Sequence, residues 1–190
     1  MGHDGPDSSV DFREDSPRFR RDRLLGGLVA ALFSVALGIV SVAVPLLALT
    51  AGWNAAQIGL LVALTAVFQL ITRSFMGMMM RRLPDKFFVV TAAIMIAAAC
   101  GLIALSTVTA AFVASQSLQG IARAFFFTGN QTHAVRVPSS AVRGLTTVNL
   151  ASGLGAFAGP ALDGLLAEQS VGLTLIVGAA IGALALLPAG

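Results

Sequence analysis

Six long apolar runs, each bounded by a few polar residues, decide what this chain can become. They cover residues 24–50, 55–80, 87–108, 110–137, 144–167 and 171–187. An α-helix rises about 1.5 Å per residue, so crossing a ~30 Å hydrocarbon layer takes at least ~17 residues. Every run is that long. Gly52-Trp53-Asn54, the stretch from Arg81 to Lys86, Pro138-Ser139-Ser140 and Glu168-Gln169-Ser170 separate most of them. The break at Ser106-Thr107-Val108-Thr109 is weaker. Fusing the third and fourth runs would nonetheless give a helix of about 50 residues, far beyond what a ~30 Å layer accommodates.

Composition agrees. Of 190 residues, 56% are hydrophobic and 11% charged, with a mean hydropathy of +0.87; a soluble fold has too few polar residues here to cover its surface. The expectation is an all-α integral membrane protein. The net charge of +3 is carried by Arg, with Lys86 the sole lysine. These cations sit at the ends of apolar runs, where they meet anionic lipid headgroups, so membrane lipids are expected partners and nucleic acid is not. Cys100 is the only cysteine, which excludes an intrachain disulfide. No Cys and His residues have metal-ligand spacing, so neither metal nor cofactor is expected.

Residues 1–23 are polar and end in Arg18-Phe19-Arg20-Arg21-Asp22-Arg23. They read as a disordered tail with a basic juxtamembrane end ahead of a bundle over 24–190. The tail, the loop with Arg81, Arg82 and Lys86, and the loop flanked by Arg136 and Arg143 are basic, whereas the intervening loops hold no Lys or Arg. That alternation places both termini in the cytoplasm.

Polarity is uneven among the runs. The third and sixth are nearly free of polar groups, which predicts a lipid-facing place for them. The fourth carries Gln116, Gln119, Arg123 and Asn130, which fall within roughly one 60° sector of a helix. Arg123 lies roughly 20 Å from either end, too deep for its side chain to reach water easily. Placing Arg at mid-membrane costs about 2.5–3.5 kcal/mol, so something must offset it. Either the stripe packs against neighbouring helices or it lines a water-filled cavity.

Four stretches then resemble the major facilitator superfamily. Gly77-Met78-Met79-Met80-Arg81-Arg82-Leu83-Pro84-Asp85-Lys86 is similar to its loop signature between helices two and three. Arg81 stands where that family has an acid and Pro84 where it has a second Gly, while Asp85 offers an acid at a shifted position. Gln116-Ser117-Leu118-Gln119-Gly120-Ile121 resembles the helix-four motif, with Gln116 in place of Arg. The stretch Gly155-Ala156-Phe157-Ala158-Gly159-Pro160-Ala161-Leu162-Asp163-Gly164 resembles the helix-five motif found mainly in antiporters, with Asp163 in place of one Gly. Val44-Pro45-Leu46-Leu47 and Ala55-Ala56-Gln57-Ile58-Gly59 have the cadence of the first two helices.

The resemblance covers about 24–190 and implies the N-terminal six-helix half of a transporter built from 3+3 inverted repeats. It further implies a secondary transporter, not an enzyme, that moves a small-molecule substrate by alternating access, with or without proton coupling. Export is the direction favoured by the helix-five motif; import of a sugar or organic anion, or a non-transporting accessory or truncated subunit, is the alternative. Gln116, Gln119, Arg123 and Asn130 become the candidates for the substrate cavity. Gly77, Arg81, Arg82, Asp85 and Lys86 form the cytoplasmic gating loop. Gly155, Gly159, Pro160 and Gly164 pack and bend helix five. A second six-helix half is the implied partner, supplied by a longer chain or a second copy, and a multi-pass protein of the bacterial inner membrane is the implied setting. An intramembrane hydrolase built on Ser152 and His133 lacks a visible activating partner. Asp163, near the far end of its helix, is expected to be hydrated.

Overall fold

The computed structural model describes residues 17–136 and 141–189. These residues form six long helices and a final turn: α1 Pro17–Thr50, α2 Ala55–Met79, α3 Asp85–Leu105, α4 Thr109–Arg136, α5 Ala141–Ala167, α6 Val171–Leu184 and α7 Leu186–Ala189. The helices follow the apolar runs, with informative differences at their ends. α1 begins at Pro17, well inside the stretch expected to be a tail. Proline suits a first helical position, where its missing N–H has no partner to lose, and the arginines that follow are good helix formers. α3 begins at Asp85, whose charge favours a helix N-terminus, and stops at Leu105. α6 stops at Leu184, short of the expected end at residue 187. The tail before residue 17 and the turn expected at Pro138-Ser139-Ser140 lie outside the described residues.

Five helical stretches are long and apolar enough to cross a membrane, one each from α1, α2, α3 and α5 and one formed by α6 running on to Pro188. The chain is therefore a multi-pass membrane protein. α4 matches them in length at 28 residues, but its glutamines, asparagine, arginine and histidine lower its hydropathy.

The connection between α1 and α2 shows how tightly the helices are joined. Gly52 takes φ +86°, which suits a residue without Cβ. Its N–H donates to Leu49 O (3.0 Å), and the Trp53 N–H donates to Ala48 O (3.0 Å). Two otherwise orphan carbonyls of α1 are thereby satisfied, as in a Schellman cap. Asn54 then opens α2: the Gln57 N–H donates to Asn54 Oδ1 (2.9 Å), and the Asn54 N–H donates to Gln57 Oε1 (2.9 Å). That reciprocal pair is a capping box.

Packing between helices depends on missing side chains. A Cβ on Gly155 would lie 2.5 Å from Ala31 O, and one on Gly159 would lie 2.5 Å from Val35 O. α5 thus rests directly on the backbone of α1. Because residues 155 and 159 meet successive turns of α1, the two helices run parallel. α2 and α4 repeat this: a Cβ on Gly120 would strike Thr65 O, and further along Thr132 contacts Met80. α1 packs most extensively on α5, as α4 does on α2 and α3, and α6 lies against α1 and α3. Exchanging α1–α3 with α4–α6 leaves this pattern of partners unchanged, as a 3+3 repeat requires.

The core contains Phe33, Phe88, Phe112 and Phe126, all fully buried. Apolar α3 buries one face, with Phe88, Ala92, Ile96, Cys100 and Ile103 against α4 and α6, and leaves Ile94 and Leu105 exposed on the other. α2 buries only Leu61, Thr65 and Met76. A lipid tail and a protein core are equally apolar, so composition does not distinguish a helix facing one from a helix facing the other.

Candidate functional site

The polar stripe of α4 divides into residues engaged by other helices and residues left without a partner. Gln116 is buried and accepts a hydrogen bond from the Thr65 hydroxyl of α2. Gln119 is fully buried; its Nε2 donates to Ser115 Oγ at 3.4 Å, and Ser115 Oγ donates to Ala99 O of α3 at 3.0 Å. Gln116 thus ties α4 to α2 and Ser115 ties it to α3, while Gln119 bonds within α4 and its Oε1 has no partner among the described residues. Such interhelical bonds contribute about 0.6–1.7 kcal/mol each within a membrane. Ser115, one helical turn before Gln119, was not singled out in the sequence; the i, i+4 pairing of the two was its signal.

Arg123 is different. It sits roughly 20 Å from either end of α4 by helical rise, half-buried, with its Nε shielded from solvent and without a hydrogen-bond partner. One turn further, Phe126 stacks on Phe33 of α1, with ring centroids 3.8 Å apart and planes 6° apart. Phe127 meets Phe33 edge-on at 6.4 Å. α1 and α4 touch sparsely elsewhere, so this aromatic group is their main meeting point. The consecutive Phe125-Phe126-Phe127 marked it in the sequence.

Nearer the N-terminal end of the bundle, buried Asn130 has an unpartnered Nδ2 and borders a small cleft with His133, Asp22 and Arg23. The stripe therefore converges on no single centre. Gln116 and Gln119 lie in helix contacts, Arg123 beside the α1–α4 aromatics, and Asn130 beside the cleft.

The loop candidates are also separated by burial. Gly77 lies exposed in the last turn of α2, Arg81 and Arg82 are exposed in the connection, and Lys86 is exposed in α3. Asp85 is buried at the start of α3. On α5, Gly155 and Gly159 make the close approach to α1, and Pro160 Cδ lies against Gly38. Gly164 faces open space, with nothing within 4 Å of where its Cβ would stand. Asp163 is not hydrated: it has 0% exposure, and neither carboxyl oxygen has a hydrogen-bond partner. It continues the buried row of Ser152, Gly155 and Gly159, which accounts for its enclosure. The Ser152 hydroxyl is likewise buried without a partner, so it is not paired with a histidine base. Among the described residues no cluster of His, Cys, Asp and Glu could hold a metal.

Comparison with curated proteins gives no match. Residues 26–189 match the family described as Major Facilitator Superfamily. That match takes in all but the first turns of α1 and nearly everything after it, and the swap-invariant pairing of its helices is the arrangement this family's repeats predict. The chain belongs to the major facilitator superfamily, a family of membrane transporters.

Proposed function

We propose that this chain is one six-helix half of a secondary active transporter that exports a small molecule bearing an anionic group. The observation that carries this reading is Arg123. It is a charge at mid-depth, one turn from the aromatic contact of the two sparsely touching helices, with no partner for its Nε among the described residues. A guanidinium binds carboxylate or phosphate through paired hydrogen bonds, and a dry site strengthens them. Phe127, one turn further along α4 and only partly buried, supplies apolar area on the same face. The helix-five motif favours export.

In this reading α4 is a sixth crossing, both termini are cytoplasmic, and the protein resides in the inner membrane of a bacterium. The loop from Gly77 to Lys86 then gates the cytoplasmic side. A second six-helix unit completes the cavity, contributed by a longer chain or another copy. Support comes from α2 and α5, which present Leu60, Leu70, Phe157 and Leu165 outward. α5 also exposes Asn149, Gly153, Ala156 and Gly164, small or polar residues that suit a helix partner better than lipid.

The test is uptake into everted vesicles, where export fills the lumen, using a panel of organic anions that begins with carboxyfluorescein. Arg123→Ala should abolish movement of whichever anion is carried, and Arg123→Lys should restore it in part. Undiminished movement in Arg123→Ala removes this residue from the site. Cysteine cross-linking through Ala156→Cys in native membranes tests the second unit, and only uncross-linked chain would count against it.

A further inference from the structure

At the end of the bundle opposite the N-terminus, one ionisable side chain is enclosed with nothing to balance it. Asp163 lies 22 residues into α5 and four from its end, on the face whose preceding turns rest on α1. Its exposure is 0%, and both carboxyl oxygens lack partners among the described residues. Three helices pack against α5. α1 has no ionisable residue after Arg23, α6 has none, and α4 has none before Arg123. By helical rise, Arg123 is displaced from Asp163 by about 13 Å along the bundle. The nearest charged neighbour in sequence is Glu168, which is acidic and exposed in the α5–α6 turn.

The two forms of this carboxyl have unequal prospects here. A carboxylate only accepts hydrogen bonds, and helix interiors offer no free N–H groups, because each N–H already serves the carbonyl four residues back. A carboxylic acid has an O–H to donate, and helix carbonyls keep a spare lone pair to accept it. Enclosing an ionised carboxylate without a counter-charge also costs far more than enclosing the neutral acid.

We propose that Asp163 is a proton site that clasps the end of α5 to α1: the neutral acid closes the contact, and loss of the proton to solvent opens it. The reaction is a single ionisation, with the proton leaving for water at the nearby helix end and the carboxylate becoming hydrated as the helices part. The sign follows directly. Closure needs the protonated form, so the clasp is present at low pH and lost as pH rises. This inference concerns the α1–α5 contact and is independent of the reading of Arg123.

The test places spin labels at Leu49→Cys and Leu165→Cys, exposed positions at the ends of α1 and α5, in a Cys100→Ala background. The chain is reconstituted in lipid nanodiscs, and the inter-label distance is followed by pulsed electron resonance between acidic and alkaline pH. The expected result is a short distance at low pH that lengthens in a one-proton transition as pH rises. Asp163→Asn, nearly isosteric and unable to ionise, should hold the short distance throughout. A distance independent of pH, or the same transition in Asp163→Asn, overturns the proposal. Infrared difference spectra of the otherwise unaltered chain provide a second measurement that needs no stable variant. A protonated-carboxyl band should disappear as pH is raised through the same range, and its absence at low pH also overturns the proposal.

Discussion

Replacing Gly159 by Ala probes the α1–α5 seam most directly. The added Cβ would lie 2.5 Å from Val35 O, 2.8 Å from Gly38 Cα and 3.0 Å from Ile39 N. A carbon normally approaches a carbonyl oxygen no closer than ~3.3 Å, so the overlap is about 0.8 Å. All three atoms belong to the backbone, so no side-chain rotation relieves it; the helices must separate by a comparable amount. Overpacking of this kind costs about 1–3 kcal/mol. Against that, exchanging Gly for Ala inside a helix gains up to ~1 kcal/mol. The net expectation is a loss of about 1–2 kcal/mol, or roughly five- to thirty-fold in the folded-to-unfolded ratio. Gly153→Ala and Gly164→Ala meet nothing within 4 Å, so they should show the gain alone. Unfolding by sodium dodecyl sulfate in mixed micelles, followed through the emission of Trp53, supplies the measurement. Trp53 is the only tryptophan and packs on Phe112 of α4 with ring centroids 5.1 Å apart, so its signal reports the bundle's closure. If Gly159→Ala proves no less stable than Gly153→Ala, the close approach of α5 to α1 is wrong.

Other expectations can be read in the same assay. Thr65→Val removes the donor to buried Gln116 and should cost about 0.6–1.7 kcal/mol; combined with Gln116→Leu it should cost less than the sum of the two single changes, and strict additivity would deny the bond. Asn54→Ala removes the side-chain acceptor of the Gln57 N–H and should cost about 0.5–2 kcal/mol, whereas an unchanged midpoint would show that the turn does not depend on it. Arg123→Met removes a charge from mid-depth and should raise stability by up to about 3 kcal/mol while ending transport; a destabilised variant would mean that Arg123 serves packing.

The six apolar runs announced the helices because length and continuity are properties of one segment at a time. Relations between segments were harder to see. Thr65 and Gln116 are separated by 51 positions, and only the register of α2 against α4 brings them together. The letters Asn54 and Gln57 already spelled a capping box but passed as punctuation, though their spacing was sufficient. Asp163 is instructive in the opposite direction. Its distance along the helix suggested water, yet residues 155, 159 and 163 are four apart and share one face, so the glycines already indicated where the carboxyl would point. The central or peripheral place of α3 was not legible, because the same apolar side chains suit lipid and protein.

The turn from Thr50 to Ala55 has a consequence for how the protein is made. Its carbonyl and amide groups are satisfied locally by the Gly52 cap and the Asn54–Gln57 exchange, without help from any later part of the chain. α1 and α2 can therefore leave the ribosome and enter the lipid as a preformed hairpin, with few exposed backbone groups to drag through the bilayer. α2 then has little to wait for, since most of its surface stays outward, until Gly120 of α4 arrives to dock beside Thr65. α1 and α2 are thus made and joined first but scarcely touch, so each waits for its packing partner, α4 for α2 and α5 for α1.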